Sequence, residues 1–333
     1  MRARWILSIS RWSTQGRLDV GDGGPGFCGW VSEWLSAGCC LCNTKEAFTL
    51  QKKFGILANR QKSNADSVAK RLTETLQRRG ALVVIDEQSA AAIGRPELGV
   101  PRADFASAVD MIFVLGGDGT LLGVAREFAC HDIPLLGINI GHLGFLSEAE
   151  PSDLELAVNR VLADEYFLER RLMLQTEVWR EDRLLYSSVG LNDAGIGKGS
   201  FARMIEVKVA VDDEVWDEFA GDGLIVSTPT GSTAYSLSCG GPIVVPHMQV
   251  MILTPICAHK LVSRPCVIDG NQRVTVDVRA THKDLGLTVD GQVGVALQSG
   301  DRVIVTRAQC ETVLVRWRER AFFSILQSKL SGE

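Results

Sequence analysis

A short apolar run, Met111-Ile112-Phe113-Val114-Leu115, ends directly in Gly116-Gly117-Asp118-Gly119-Thr120, and this junction constrains the chain more than any other feature. Uncharged, β-prone residues in a run of that length predict a central parallel strand buried on both faces. Leu121, Leu122, Val124 and Ala125 follow at helical spacing, so a helix is expected to open at Thr120. Strand, glycine turn and helix start aim main-chain N–H groups and the positive helix end at one point, where phosphate is readily held. Glycines at Gly116, Gly117 and Gly119 let a ligand approach the backbone. Asp118 is no phosphate ligand, since a carboxylate repels phosphate. Its chemistry is to take a proton from a hydroxyl or to hold a metal ion. A plain strand-to-helix turn with Asp118 as N-cap fits the same pattern.

At 333 residues the chain is long enough for two domains with separate cores. A net charge of −5 and the lack of a Lys/Arg block argue against nucleic acid as partner. No apolar run approaches the roughly 20 residues that span a bilayer, so no membrane is expected. Nine cysteines, an odd number without repeated spacing, argue against a disulfide framework and for a reducing compartment. Cys39-Cys40-Leu41-Cys42 lacks the second ligand pair that a zinc site needs.

Residues 1–51 differ from the rest, with four of the seven Trp residues, a Gly-rich patch and no sustained period. Arg2, Arg4, Arg11 and Arg17 are compatible with a transit peptide. The preferred reading is a poorly ordered extension or an over-long start. Organised sequence begins at Lys53 with a first strand to Asn59. A helix from Asn64 to Arg79 follows, with Val68, Leu72 and Leu76 on one stripe and Gly80 beyond its end. Ala81 to Ile85, the strand before the glycine turn, and Pro134 to Asn139 complete a parallel sheet over 52–150. A helix from Ser152 to Ala163 closes this half. Beyond it the period becomes two, as in Ile205, Val207, Val209 and Val211, and in Val274, Val276 and Val278. Asp212-Asp213 and Asp290-Gly291 are expected turns. The fold class is therefore an α/β N-terminal domain with a parallel, Rossmann-like sheet, then an all-β, antiparallel, sandwich-like domain over 151–318. The amphipathic segment within 319–333 is expected to dock back on the first domain.

The densest polar stretch is Asp222 through Ser238, in which a short strand, Leu224 to Ser227, runs into Thr228-Pro229-Thr230-Gly231-Ser232-Thr233-Ala234-Tyr235. Hydroxyls and N–H groups at a strand end form a pocket suited to a ribose, a base edge or phosphate. Asn192-Asp193 pairs an amide with a carboxylate, a combination that grips a base edge and a vicinal diol, although a simple turn has the same composition. Asp290-Gly291-Gln292 is equally ambiguous. The five histidines show no ligand spacing. No G-x-x-x-x-G-K-[ST] loop is present, and no G-x-G-x-x-G follows the first strand, which disfavours P-loop kinases and dehydrogenases.

Together these motifs resemble the NAD kinase family. The turn at 116–120, Gly137-Ile138-Asn139 with Leu143-Gly144-Phe145-Leu146, Asn192-Asp193, Asp222 through Pro242, Thr254-Pro255-Ile256-Cys257 and Arg264-Pro265 occur in the family's order and spacing. The likeness runs from Lys53 to Leu330. Lipid kinases and phosphofructokinases carry turns like the first; Thr-Pro-Thr-Gly-Ser-Thr-Ala-Tyr is the discriminating segment.

The resemblance implies transfer of a phosphoryl group from ATP, or from polyphosphate, to the 2′-hydroxyl of NAD's adenosine ribose, with Mg²⁺ required and no protein ligand assigned to the metal. It makes Asp118 the proton acceptor, with Gly116, Gly117, Gly119 and Thr120 as the phosphate turn. Asn192 and Asp193 would hold adenosine. Thr233, Tyr235 and Ser238 would surround adenine, with Ala234 packed beside it, and Ser236 is a further NAD-binding residue. Asp222 would reach the nicotinamide end, Arg203 would lie near the ligand, and Gln292 falls on a further NAD-binding motif. A cytoplasmic homodimer or homotetramer is implied. One departure stands out: the family usually has Asn-Glu where this chain has Asn192-Asp193. A lipid kinase of the diacylglycerol or sphingosine type and a non-catalytic dinucleotide sensor are the alternatives. The first needs an acyl channel where this chain has hydroxyls, and the second leaves Asp118 without a task.

Overall fold

The computed structural model describes residues 52–141, 144–199, 203–318 and 322–330. The extension over 1–51, with its four cysteines and arginine-rich start, lies outside the described residues, as does Leu143 of the second glycine segment.

The first half alternates strands and helices. They are β1 (Lys53–Ala58), α1 (Ala65–Arg78), β2 (Leu82–Asp86), α2 (Glu87–Ala92), β3 (Gly99–Val100), α3 (Phe105–Ala108), β4 (Met111–Gly116), α4 (Asp118–Glu127), β5 (Leu135–Asn139) and α5 (Leu154–Leu162). Neighbouring strands among β1 to β5 pair in parallel, with β4 between β1 and β5. Every residue of β4 is buried, because helices cover both faces of the sheet. Phe54, Ile56, Phe113 and Leu115 pack with Leu72 and Leu76 on one side. Ile112 and Val114 pack with Leu121, Leu122 and Phe105 on the other.

The second half is almost entirely β: β6 (Phe167–Arg180), β7 (Arg183–Gly190), β8 (Asp193–Lys198), β9 (Ile205–Val211), β10 (Glu214–Gly221) and β11 (Gly223–Ser227). After the single-turn α6 (Tyr235–Ser238) come β12 (Val250–Ile256), β13 (Cys266–Asp269), β14 (Val274–Arg279), β15 (Leu285–Val289), β16 (Val293–Leu297) and β17 (Arg302–Arg316), then α7 (Phe322–Leu330). A six-stranded antiparallel sheet runs β13-β12-β11-β8-β15-β16. It packs against β9, β14 and β17 through Ile196, Leu224, Val226, Val207, Val276 and Val305. The alternation read from the sequence is real: Ile205, Val207 and Val209 are buried while Glu206 and Lys208 are exposed.

Three details differ from the expectation. The helix after the glycine turn opens at Asp118, not Thr120, because the Thr120 and Leu121 N–H groups both donate to Gly117 O, at 2.9 and 3.1 Å. Gly117, in extended conformation, is the N-cap. The helix after the Ser/Thr segment is a single turn. Most important, the two halves share one sheet: β17 is antiparallel to β14 and β6 and parallel to β5, giving the order β10-β9-β14-β17-β5-β4-β1-β2-β3. Among the described residues no helix is long and apolar enough to cross a membrane.

Candidate active site

Strand β4 delivers Asp118 to the carboxyl edge of the parallel sheet, where open α/β sheets bind ligands. Its carboxylate is held by the loop after β5. Oδ2 accepts from the Phe145 N–H at 2.7 Å, and Oδ1 accepts from the Leu146 N–H at 3.3 Å and the Ser147 hydroxyl at 3.2 Å. That grip requires Gly144, since a β-carbon there would overlap the carboxylate.

The loop is in turn fixed from behind by Arg316. Its guanidinium donates to Phe145 O at 2.9 Å, Leu146 O at 3.3 Å, Glu148 at 2.8 Å and Glu169 at 3.0 Å. Arg171 donates to Glu169 at 2.7 Å and to Thr230 Oγ1 at 3.1 Å. Burial, then the neighbouring Arg316, pushes Arg171 down to about 10, so it stays charged at neutral pH. Burial pushes Glu169 up, but Arg171 and Arg316 outweigh it and hold its carboxyl below the ordinary range.

The Ser/Thr segment and Asn192-Asp193 form a single unit. Thr228 donates its N–H to Asn192 O at 2.8 Å and its hydroxyl to Leu191 O at 2.6 Å. Gly231 lies so close to Asn192 O that a β-carbon would overlap it. The buried Asp290 binds the same turn from below, accepting from the N–H groups of Leu191 at 3.1 Å, Asn192 at 2.7 Å and Asp193 at 3.2 Å. Burial, and then the charge of Asp290, pushes the Asp193 carboxyl up to about 7.

The remaining sequence candidates separate. Gln292 reaches the glycine turn, its Nε2 donating to Gly119 O at 2.6 Å. Asp222 forms an ion pair with Lys198 at 2.7 Å. Tyr235 is exposed, and its phenol is raised by the neighbouring Cys239 thiol. Ala234 is half-buried and Ser238 exposed at the same end. Ser236 is fully buried, and its hydroxyl is shared with Thr254 Oγ1 at 2.9 Å. Arg203 is exposed, and its contact is a backbone one, the carbonyl meeting the His282 ring at 3.1 Å.

Two cavities flank the Asp118 loop. One, about 70 Å³, lies between Phe145 and Leu146 on one wall and Arg171, Thr230 and Thr233 on the other. The second, about 580 Å³, opens in front of Gly117, Gly119 and Thr120, with Asn59, Lys62 and Arg102 around it. Asn59 ties the two elements together, donating to Thr120 Oγ1 at 3.0 Å. Sequence reasoning missed Asn59, Lys62 and Arg102. The first two follow β1 at the same sheet edge as Asp118, a positional signal that was available. Among the described residues no group of three His, Cys, Asp or Glu side chains is gathered as if for a metal ion.

Residues 54–166 match the model of the ATP-NAD kinase N-terminal domain, and residues 191–317 that of the ATP-NAD kinase C-terminal domain. The chain belongs to the NAD kinase family. It is 45% identical over 279 residues to the NAD kinase of Moorella thermoacetica, covering 84% of this chain and 89% of that one. Against the NAD kinase of Heliobacterium modesticaldum it is 44% identical over 279 residues, covering 83% and 97%. Among solved structures, an NAD kinase from Archaeoglobus fulgidus in complex with ATP superposes with a TM-score of 0.65 at 25% identity, over 84% of this chain and 99% of that one. Yeast NADH kinase complexed with NADH shares the fold, with a TM-score of 0.78 at 24% identity over 84% and 88%. In this NAD kinase family member the first matched segment carries Asp118 and its loop, and the second carries Asn192-Asp193, Asp222 and the Ser/Thr segment. The cleft therefore needs both.

Proposed function

We propose that this enzyme transfers the γ-phosphoryl group of ATP to the 2′-hydroxyl of the adenosine ribose of NAD, giving NADP. The observation that carries the reading is Asp118, oriented by three donors of a loop whose Phe145 and Leu146 line a pocket with Thr230 and Thr233, and flanked in sequence by Gly117 and Gly119, which line a cavity with Lys62 and Arg102. Triphosphate fits the cavity at the glycines, where the N-terminal end of a helix meets Lys62, and Arg102 lines the same cavity paired with Glu127 at 2.6 and 2.7 Å. Adenosine is assigned to the acceptor side, with Asn192 and Asp193 on the base edge and ribose hydroxyls, Thr233 and Ala234 beside adenine, and Asp222 toward the nicotinamide end; the pocket at Thr230 and Thr233, about 70 Å³, holds only part of it. Gln292 supports the turn through Gly119 O.

A ribose hydroxyl is a poor nucleophile at neutral pH, and a positioned carboxylate contributes about 10²–10⁴-fold as base. Among the described residues Oδ2 of Asp118 accepts one hydrogen bond, from the Phe145 N–H, and a carboxylate oxygen has a further lone pair for the 2′-hydroxyl proton. The ribose oxygen then attacks the γ-phosphorus and ADP leaves. Phosphoryl transfer asks for positioning and charge stabilisation more than covalent help. Mg²⁺ fits as an ion held mainly by substrate phosphates, since such sites need only one or two protein carboxylates, and Asp118 is the carboxylate at the glycine turn. When bound it neutralises charge on the phosphates. Inorganic polyphosphate presents the same oxygens and is a second donor by this chemistry. A cytoplasmic homodimer or homotetramer completes the reading.

The test is Asp118→Asn. NAD binding, followed by calorimetry, is expected to persist while kcat for NADP formation falls by about 10²–10⁴-fold. Near wild-type turnover would remove Asp118 from the role of base.

A further inference from the structure

We infer that Arg126 is a positioning residue that sets the two substrate sites in register. Arg126 lies on α4, two turns beyond Asp118, and its side chain is largely buried. One arm, Nη1, donates to Asp290 Oδ2 at 2.8 Å, and the other, Nη2, donates to Gln292 Oε1 at 2.7 Å. Each partner continues to a different site. Gln292 donates from Nε2 to Gly119 O at 2.6 Å, on the phosphate turn. Asp290 receives the N–H groups of Leu191, Asn192 and Asp193, on the adenosine side. An unbroken chain thus runs from Gly119 through Gln292, Arg126 and Asp290 to Asn192, and the guanidinium is its only cation.

Other contacts build each site separately. The glycine turn closes on Gly117 O and is braced by Asn59, and the Asn192 turn is braced by Thr228. Neither of these sets spans the distance between donor and acceptor; a second link runs from the Asp118 loop through Arg316, Glu169 and Arg171 to Thr230, and Arg126 clamps the Asp290-Gly291-Gln292 turn that reaches both sites. A guanidinium suits the bridge because its planar fork offers two parallel donors at fixed separation, which an ammonium lacks. Phosphoryl transfer depends on that separation, and a misplacement of about 1 Å costs on the order of 10²-fold in rate.

The reading rests on phosphoryl transfer at Asp118, so wild-type NADP formation is the control. Failure of that control would count against the activity and not against the bridge. Arg126→Met and Gln292→Leu are expected to lower kcat by about 10- to 100-fold, with KM for NAD and for ATP within about twofold of wild type. The double variant is expected to be no slower than the worse single one, since both cut the same chain. Arg126→Lys keeps the ion pair with Asp290 and loses the fork, so it covers the case in which Arg126→Met does not fold. It is expected to fold with the same kcat defect, lessened. Wild-type kcat in Arg126→Lys, a loss carried by KM, or additive effects in the double variant would each overturn the inference. A drop in thermal stability with unchanged kcat per active site would do so too, because it marks a purely structural ion pair.

Discussion

Gly144 stands against the carboxylate of Asp118 with no room for a β-carbon between them. The aspartate and the loop that orients it are therefore matched to a single residue type. Gly144→Ala is expected to displace the loop and lower kcat by about tenfold or more, since it disturbs geometry on the scale that reaction rates sense. Some thermal stability is expected to be lost as well, because the neighbouring Leu146, Ser147 and Glu148 are buried, so kcat is compared at a temperature where both proteins are folded. A kcat equal to wild type in the alanine variant would show that the loop relaxes at no cost.

Gly231 makes the equivalent close approach on the acceptor side, against Asn192 O. Both atoms there are backbone, so neither can swing aside. Gly231→Ala is expected to push the Asn192 turn out of place and raise KM for NAD about tenfold, with KM for ATP unchanged. Steady-state kinetics with each substrate varied in turn would check this.

Asp193 carries a pH signature. Its carboxyl rises from 3.8 to about 7 through burial and the nearby Asp290. Between these values the unfolded chain is ionised while the folded protein keeps the proton, so stability falls as pH rises across that window. Asp193→Asn removes the effect. Its Tm is expected to match wild type at the low end of the window and to exceed it increasingly toward the high end. Parallel Tm profiles for the two proteins would refute the assignment.

The same residue bears on substrate affinity. Asp is one methylene shorter than Glu, so the hydrogen bond proposed from Asp193 to a ribose hydroxyl would be longer or run through water. Asp193→Glu is expected to lower KM for NAD several-fold, read in the same kinetic assay.

Arg316 is a buried cation that holds both Glu148 and the carbonyls of Phe145 and Leu146. Removing one partner of such a cluster leaves an uncompensated charge, so Arg316→Met is expected to destabilise the protein by about 3–5 kcal/mol. The loop holding Asp118 would also loosen, and kcat would fall at temperatures where the protein remains folded. Denaturant unfolding and single-temperature kinetics separate the two effects.

Much of this was legible beforehand. The fully apolar β4, the clean alternation of β9 and β14, and the Asp-rich turns each announce their structure through a local pattern. The glycine turn and the Ser/Thr segment announce their chemistry in the same way. Strand β6 is harder to read because Arg171 faces inward among apolar neighbours and breaks the period of two. Its charge is tolerated through Glu169 and Thr230, and Thr230 lies far along the chain. The burial of Ser236 is hidden for a related reason: its hydroxyl has a partner on β12 that no local pattern reveals. Arg126 and Asp290 were overlooked or ambiguous because their meaning lies in a contact 164 residues apart.

Strand β17 carries one more implication. It pairs with β6 along nearly its whole length, with β14 over its first residues and with β5 at Leu314–Leu135, so the two halves are joined through a shared sheet. Swinging the halves apart as lobes would break that shared sheet, so the architecture favours access to the site through the shorter segments around it.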